Sequence, residues 1–187
     1  IIDPSLVGGR DPLWVAEQAL LGGATALQLR DKLRGKGEVL PLARELVKLC
    51  RAHGALLIVN DHADLAHAAG ADGVHVGQRD LPLAAARGVL HPWQLAGTSN
   101  ALVDEVLASY RAGADYLAMG AMFPTTSKED TRPAGITALR RARFNLPLSA
   151  PPLVAIGGIT RENVGEVARA GADGVCVISA VTTRPAR

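Results

Sequence analysis

Four segments of the chain read alike: Gly22-Gly-Ala-Thr-Ala-Leu-Gln-Leu29, Gly70-Ala-Asp-Gly-Val-His-Val-Gly77, Gly113-Ala-Asp-Tyr-Leu-Ala-Met-Gly120 and Gly171-Ala-Asp-Gly-Val-Cys-Val-Ile178. Each follows an amphipathic run and opens a short apolar one. The leading glycine suits the left-handed position that ends a helix. The apolar residues after it are few, partly β-branched and nearly continuous, as in a strand covered on both faces. Three more such runs lie between the copies, Leu56 to Asn60, Gln94 to Ser99 and Leu153 to Ile156, and Ile1-Ile2 reads as the stub of another. That makes eight expected strands.

The connecting segments carry helical signals. Asp11 caps a run with Pro12 in its first turn, and the run ends at Gly22. Residues 38–53 place Val39, Leu42, Ala43, Leu46, Val47 and Cys50 at helical spacing. A third helix is expected from Thr160 to Gly171. Eight strands alternating with helices predict a parallel sheet closed into a (β/α)8 TIM barrel, a single domain over 1–187. An open doubly wound sheet is the alternative, but no GxGxxG follows the first strand. Such barrels run to about 250 residues, about 200 at the lower end. With 187 residues, the first strand and the last helix are expected to be incomplete in this chain.

Composition removes several functions. A formal charge of +2 gives no field strong enough to select a nucleic acid, and 3% aromatic residues leave no base-stacking platform. The longest uncharged stretch, Phe144 to Thr160, is broken by Pro147, Pro151 and Pro152, so it does not read as a membrane span. No signal peptide opens the sequence. Cys50 and Cys176 show no metal-type spacing and read as buried free thiols. The expectation is a soluble, cytoplasmic domain; its oligomeric state is left open.

In a barrel of this kind the chemistry sits where strands end. Gln28, Arg30 and Lys32 share one parity at the end of the second expected strand, and such a polar cluster invites an anion. Asn60-Asp61 and Gln78-Arg79-Asp80 end the next two strands. Asp61 and Asp80 are one strand–helix unit apart, so they fall at neighbouring mouths, where two carboxylates suit Mg2+. Each also stands where a helix cap belongs. Later, Phe123-Pro-Thr-Thr-Ser-Lys128 offers three hydroxyls and a point charge able to wrap a phosphate. Gly157-Gly158 and Ile178-Ser179 end the last two strands, the usual phosphate site of these barrels. Two anion sites follow, one with a metal and one without. His75, alternating with Val74 and Val76, reads as a satisfied interior histidine rather than a catalytic base. No nucleophile–base arrangement announces covalent catalysis.

In order along the chain, Gln28-Leu-Arg-Asp-Lys32, Asn60-Asp61, Ala71-Asp-Gly-Val-His-Val-Gly-Gln-Arg-Asp80, Phe123-Pro-Thr-Thr-Ser-Lys128, Ile156-Gly-Gly-Ile-Thr160 and Ala172-Asp-Gly-Val-Cys-Val-Ile-Ser179 resemble the thiamine phosphate synthase family. The resemblance runs from about Asp3 to Val181. It implies a magnesium-dependent transferase that joins hydroxymethylpyrimidine diphosphate to thiazole phosphate and releases pyrophosphate. On that reading Gln28, Arg30, Lys32, Asn60, Ser99 and Lys128 hold the pyrimidine diphosphate, and Asp61 and Asp80 bind Mg2+. Thr125, Thr126, Ser127, Gly158, Ile178 and Ser179 hold the thiazole phosphate. The catalytic set is Arg30, Lys32, Ser99 and Lys128, which neutralise and position the departing diphosphate. The family's Gly-Val-Ser followed by a polar residue is here Gly97-Thr98-Ser99-Asn100-Ala101, and Ser127 replaces a threonine. The rival readings are an isomerase paralogue that acts on the thiazole ring alone and a silent phosphate-binding barrel.

Overall fold

A computed structural model describes residues 1–125 and 132–182. Seven strands pair in chain order, all parallel: β1 (Ala26–Leu29), β2 (Leu56–Asn60), β3 (Gly73–Val76), β4 (Leu95–Asn100), β5 (Tyr116–Gly120), β6 (Leu153–Ile156) and β7 (Gly174–Cys176). The helices between and around them are α1 (Pro12–Leu21), α2 (Lys36–Ala52), α3 (Ala63–Ala69), α4 (Leu83–Val89), α5 (Val103–Arg111), α6 (Gly135–Asn145), α7 (Val164–Arg169) and α8 (Ser179–Thr182). This is the expected α/β order with a curled parallel sheet.

The expected first strand is reduced to one isolated bridge. Ile2 pairs with Leu29: its N–H donates to the Gln28 carbonyl at 2.8 Å and its carbonyl accepts from Arg30 at 3.0 Å. On the other side the Ile1 nitrogen donates to the Val177 carbonyl at 2.8 Å, so Ile1-Ile2 lies between β7 and β1. Two residues cannot build a ladder, which is why a strand does not form here. The helix expected from Thr160 begins only at Val164. Asn163 explains the delay: its Oδ1 accepts the Thr160 N–H at 2.8 Å and its Nδ2 donates to the Gly158 carbonyl at 2.9 Å. A short polar side chain thus satisfies the backbone that a helix would otherwise use.

The repeated aspartates are clamps between strands. Asp72, Asp115 and Asp173 each donate a backbone N–H to the carbonyl of Leu57, Ala96 and Leu153, respectively. Their carboxylates accept the N–H of those same residues at 2.7, 2.7 and 2.8 Å. Each clamp grips the beginning of the preceding strand, at the end of the sheet away from the expected chemistry. The first copy has Thr25 there instead, and only its carbonyl serves, taking the Leu56 N–H at 3.1 Å.

Strand alternation divides the side chains into two sets. Leu27, Leu29, Leu57, Val59, Val74, Val76, Leu117, Met119, Leu153 and Ala155 are buried in the hydrophobic core with residues of the surrounding helices. The opposite set, which includes Gln28, His75, Ser99, Tyr116 and Cys176, faces a central cavity. Cys50 is buried as expected, but Cys176 is only half-buried because it belongs to this inward set. Burial pushes its thiol up, and burial pushes that of Cys50 up to about 11.

Candidate active site

The cavity measures about 400 Å³ and opens where the strands end. One wall is polar. Gln28 and Arg30 come from β1 and its exit, Asn60 from the end of β2, and Ser99 from β4. The facing wall carries Thr125, Gly158, Ile178 and Ser179, beside the apolar Val154 and Ile156 of β6. The two anion sites expected from the sequence are therefore two sides of one space. Thr126, Ser127 and Lys128 lie outside the described residues.

Arg30 is fixed by a partner the sequence reading missed. Asp3, 2% exposed, forms an ion pair with the Arg30 guanidinium and accepts from the Ser5 N–H at 3.0 Å and hydroxyl at 2.6 Å. The signal was available: Asp3 follows Ile1-Ile2 at the same kind of exit as Asp61 follows β2. Lys32 behaves differently from Gln28 and Arg30. β1 ends at Leu29, so the parity argument does not reach Lys32, which is exposed and ion-paired with Asp61 at the rim.

Asp61 sits at φ 64°, the left-handed region, and its N–H donates to the His75 carbonyl at 2.7 Å. Aspartate tolerates this conformation better than most residues. Asp80 closes a turn on Gly77, whose N–H donates to the Asp80 carboxylate at 2.8 Å. Neither carboxylate caps a helix: His62 and Pro82 occupy the cap positions of α3 and α4. Both stand at the exits of adjacent strands, and their side chains are left to the rim. Among the described residues no cluster of three or more metal-type ligands occurs, so a cation here would rest on two carboxylates completed by other oxygens.

His75 is satisfied on both ring nitrogens, with Nδ1 2.9 Å from the Tyr116 hydroxyl and Nε2 2.7 Å from the Ser99 hydroxyl. It is also 6% exposed, the interior histidine expected. Gln78 reaches over from the Asp80 turn and donates to the Ser99 carbonyl at 2.7 Å. Asn100 is buried, and its amide donates to the carbonyls of Thr98 and Ala118 at 3.2 and 3.1 Å. Gly157 and Gly158 allow a close approach, but of protein. A Cβ on Gly158 would lie 2.6 Å from the Pro124 carbonyl oxygen, and one on Gly157 2.5 Å from the Ala121 Cβ. Arg132 also lines the cavity, held by Glu105 through hydrogen bonds of 2.6 and 2.9 Å. Nothing in the sequence signals that partnership.

The sequence profile described as thiamine monophosphate synthase matches residues 1–181. The chain belongs to this family. It is 49% identical over 172 residues to the thiamine-phosphate synthase of Chlorobium luteolum, covering 91% of this chain and 80% of that protein. It is 44% identical over 186 residues to the thiamine-phosphate synthase of Methanospirillum hungatei, covering 99% and 89%. The solved thiamine phosphate pyrophosphorylase from Pyrococcus furiosus superposes with a TM-score of 0.86 at 38% identity, covering 94% of this chain and 83% of that one. The family is one of transferases, and the TIM-barrel-like fold agrees with the curled parallel sheet. Among the described residues no helix is long and apolar enough to cross a membrane.

Proposed function

We propose that the chain condenses hydroxymethylpyrimidine diphosphate with thiazole phosphate, giving thiamine phosphate and pyrophosphate, as a soluble cytoplasmic enzyme. The observation that carries this reading is one cavity with two unlike walls, in a chain of this family. An isomerase working on the thiazole ring alone has no use for the wall of Gln28, Arg30, Asn60 and Ser99.

The diphosphate is assigned to that wall, where Arg30 is held in place by Asp3 and presents a fixed cation to the departing charge. Lys32 adds charge from the rim, and Lys128, in the sequence after β5, is assigned the same part. The thiazole phosphate is assigned to Thr125, Thr126, Ser127, Gly158, Ile178 and Ser179. The aminopyrimidine can carry the positive charge that develops as pyrophosphate departs, so the protein's part is to align two ligands and exclude water. No residue need act as nucleophile. Asp61 and Asp80 are the residues that would hold Mg2+, and a pair of carboxylates suits an ion completed by water and phosphate oxygens. Bound there, the ion would supply further neutralisation of the leaving group. The eight-stranded closure of the barrel through Ile1-Ile2 is part of the same proposal.

The test is an assay with both substrates, with Mg2+ and with EDTA. Thiamine phosphate formed only with the metal is the expected result. A folded protein that forms none with both substrates and Mg2+ overturns the reading.

A further inference from the structure

Three inward side chains form a chain of hydrogen bonds whose direction the structure decides. Tyr116, His75 and Ser99 stand on β5, β3 and β4, and the register aligns His75 with Gly97 and Gly97 with Tyr116. Gly97 has no side chain in the layer, and the Tyr116 ring fills that space: a Cβ on Gly97 would fall 2.0 Å from Tyr116 Cζ. The ring thereby reaches across β4, and its hydroxyl meets His75 Nδ1 at 2.9 Å. On the other edge of the imidazole, Nε2 meets the Ser99 hydroxyl at 2.7 Å.

Two hydroxyls on one imidazole leave the proton order to be settled by what else each hydroxyl can reach. The Tyr116 phenol has no second hydrogen-bond partner among the described residues. Burial pushes its pKa well up, so it keeps its proton. Were Nδ1 protonated, in either the neutral ring or the imidazolium, the phenol could only accept, and its own proton would have no acceptor among the described residues at the inner end of the cavity, at a cost of about 1–3 kcal/mol. With Nδ1 bare, the phenol donates to it and that cost vanishes. Phenol is also a stronger donor and weaker acceptor than serine. Both hydroxyls line the cavity, but Ser99 stands two residue pairs nearer the strand ends than Tyr116, at the open side where its proton can go to a ligand.

The geometry points to Tyr116 and His75 as positioning residues that hold the Nε2–H tautomer and so turn Ser99 into a hydrogen-bond donor toward the ligand. The order is Tyr116 O–H to Nδ1, Nε2–H to Ser99 Oγ, and Ser99 O–H into the cavity. No proton moves during turnover; the chain fixes which end of Ser99 the ligand meets. The site then selects a ligand atom with a lone pair, a ring nitrogen or a phosphate oxygen, and rejects a donor. Only the identity of that ligand, the pyrimidine diphosphate, rests on the function proposed above.

The tautomer is read directly. In two-bond 1H–15N spectra of the full chain labelled with 15N-histidine, one of five histidine patterns is assigned to His75 by its loss in His75→Gln. The expected pattern is protonated Nε2 with bare Nδ1. A protonated Nδ1, alone or in the imidazolium, overturns the proposal without any variant or any activity. In Tyr116→Phe the tautomer preference is expected to relax. The kcat/KM for pyrimidine diphosphate is then expected to fall about tenfold, while the KM for thiazole phosphate changes less than twofold. A folded Tyr116→Phe protein with both quantities unchanged also overturns it; if that variant does not fold, the wild-type spectrum decides. Absence of turnover in the wild type would count against the proposed function and leave the spectrum to judge the tautomer.

Discussion

Asp61 shows at the scale of one residue how the proposed site constrains the backbone. Its left-handed φ of 64° would suit glycine, yet the position holds a carboxylate at the rim of the cavity. A side chain in this region costs roughly 1 kcal/mol or more, and it persists where the surroundings fix it, here through the N–H bond to the His75 carbonyl. Asp61→Gly and Asp61→Ala are both expected to abolish magnesium-dependent turnover, but they should separate in stability. Asp61→Gly is expected to be the more stable by about 1 kcal/mol in urea unfolding, since alanine keeps the strained Cβ and loses the carboxylate. Equal stabilities would mean that the backbone there relaxes with the side chain. Full activity in either variant would remove Asp61 from the proposed metal site.

Between elements, the ties are polar and their placement is specific. Glu105, in the first turn of α5, accepts the N–H groups of Ala101 and Leu102 at 2.8 and 3.2 Å and the bidentate guanidinium of Arg132. The Arg132 hydrogen bonds, opposed by burial and helped by those two backbone donors, lower its carboxyl from 4.5 to about 2. A lowered carboxylate stabilises the fold fully above its unfolded value, and that contribution is lost as pH falls from about 4.5 toward 2. Arg132 is half-exposed, so the contribution is about 1 kcal/mol. Wild type is expected to exceed Glu105→Gln by that much in urea at pH 7, with the difference shrinking below about pH 4.5. A gap that stays constant down to pH 3 would contradict the pairing. The aspartate clamps make a second case. Asp72→Ala strands the Leu57 N–H that its carboxylate accepts at 2.7 Å, and a loss of about 1–3 kcal/mol is expected, with kcat unchanged. A drop in kcat at unchanged stability would show that this end of the sheet communicates with the cavity.

For the whole molecule, what was legible in the sequence is what repeats or alternates. The Gly-Ala-Asp copies announced the strands, period-two alternation separated Gln28 and Arg30 from the core, and strand exits located Asn60, Ser99, Gly158 and Ser179. Contacts across the sheet were not legible. Nothing near Tyr116 in sequence says that its ring lies over Gly97, and nothing near Lys32 names Asp61 as its partner. The Ile1-Ile2 segment is the clearest instance, since two residues carry no period and their role is set by what they lie between. That role gives the last prediction. The segment is bound to β1 by one bridge at Ile2 and, one residue on, by the ion pair of Asp3 with Arg30. Asp3 is 2% exposed, so removing either partner strands a charge at low dielectric; Arg30 is partly open to the cavity, which moderates the loss to about 2 kcal/mol. Asp3→Asn and Arg30→Gln are each expected to lose about that much in urea unfolding, and the double variant little more than either single one. Additive losses would show instead that the two side chains act separately and that the segment is held to β1 by its single bridge.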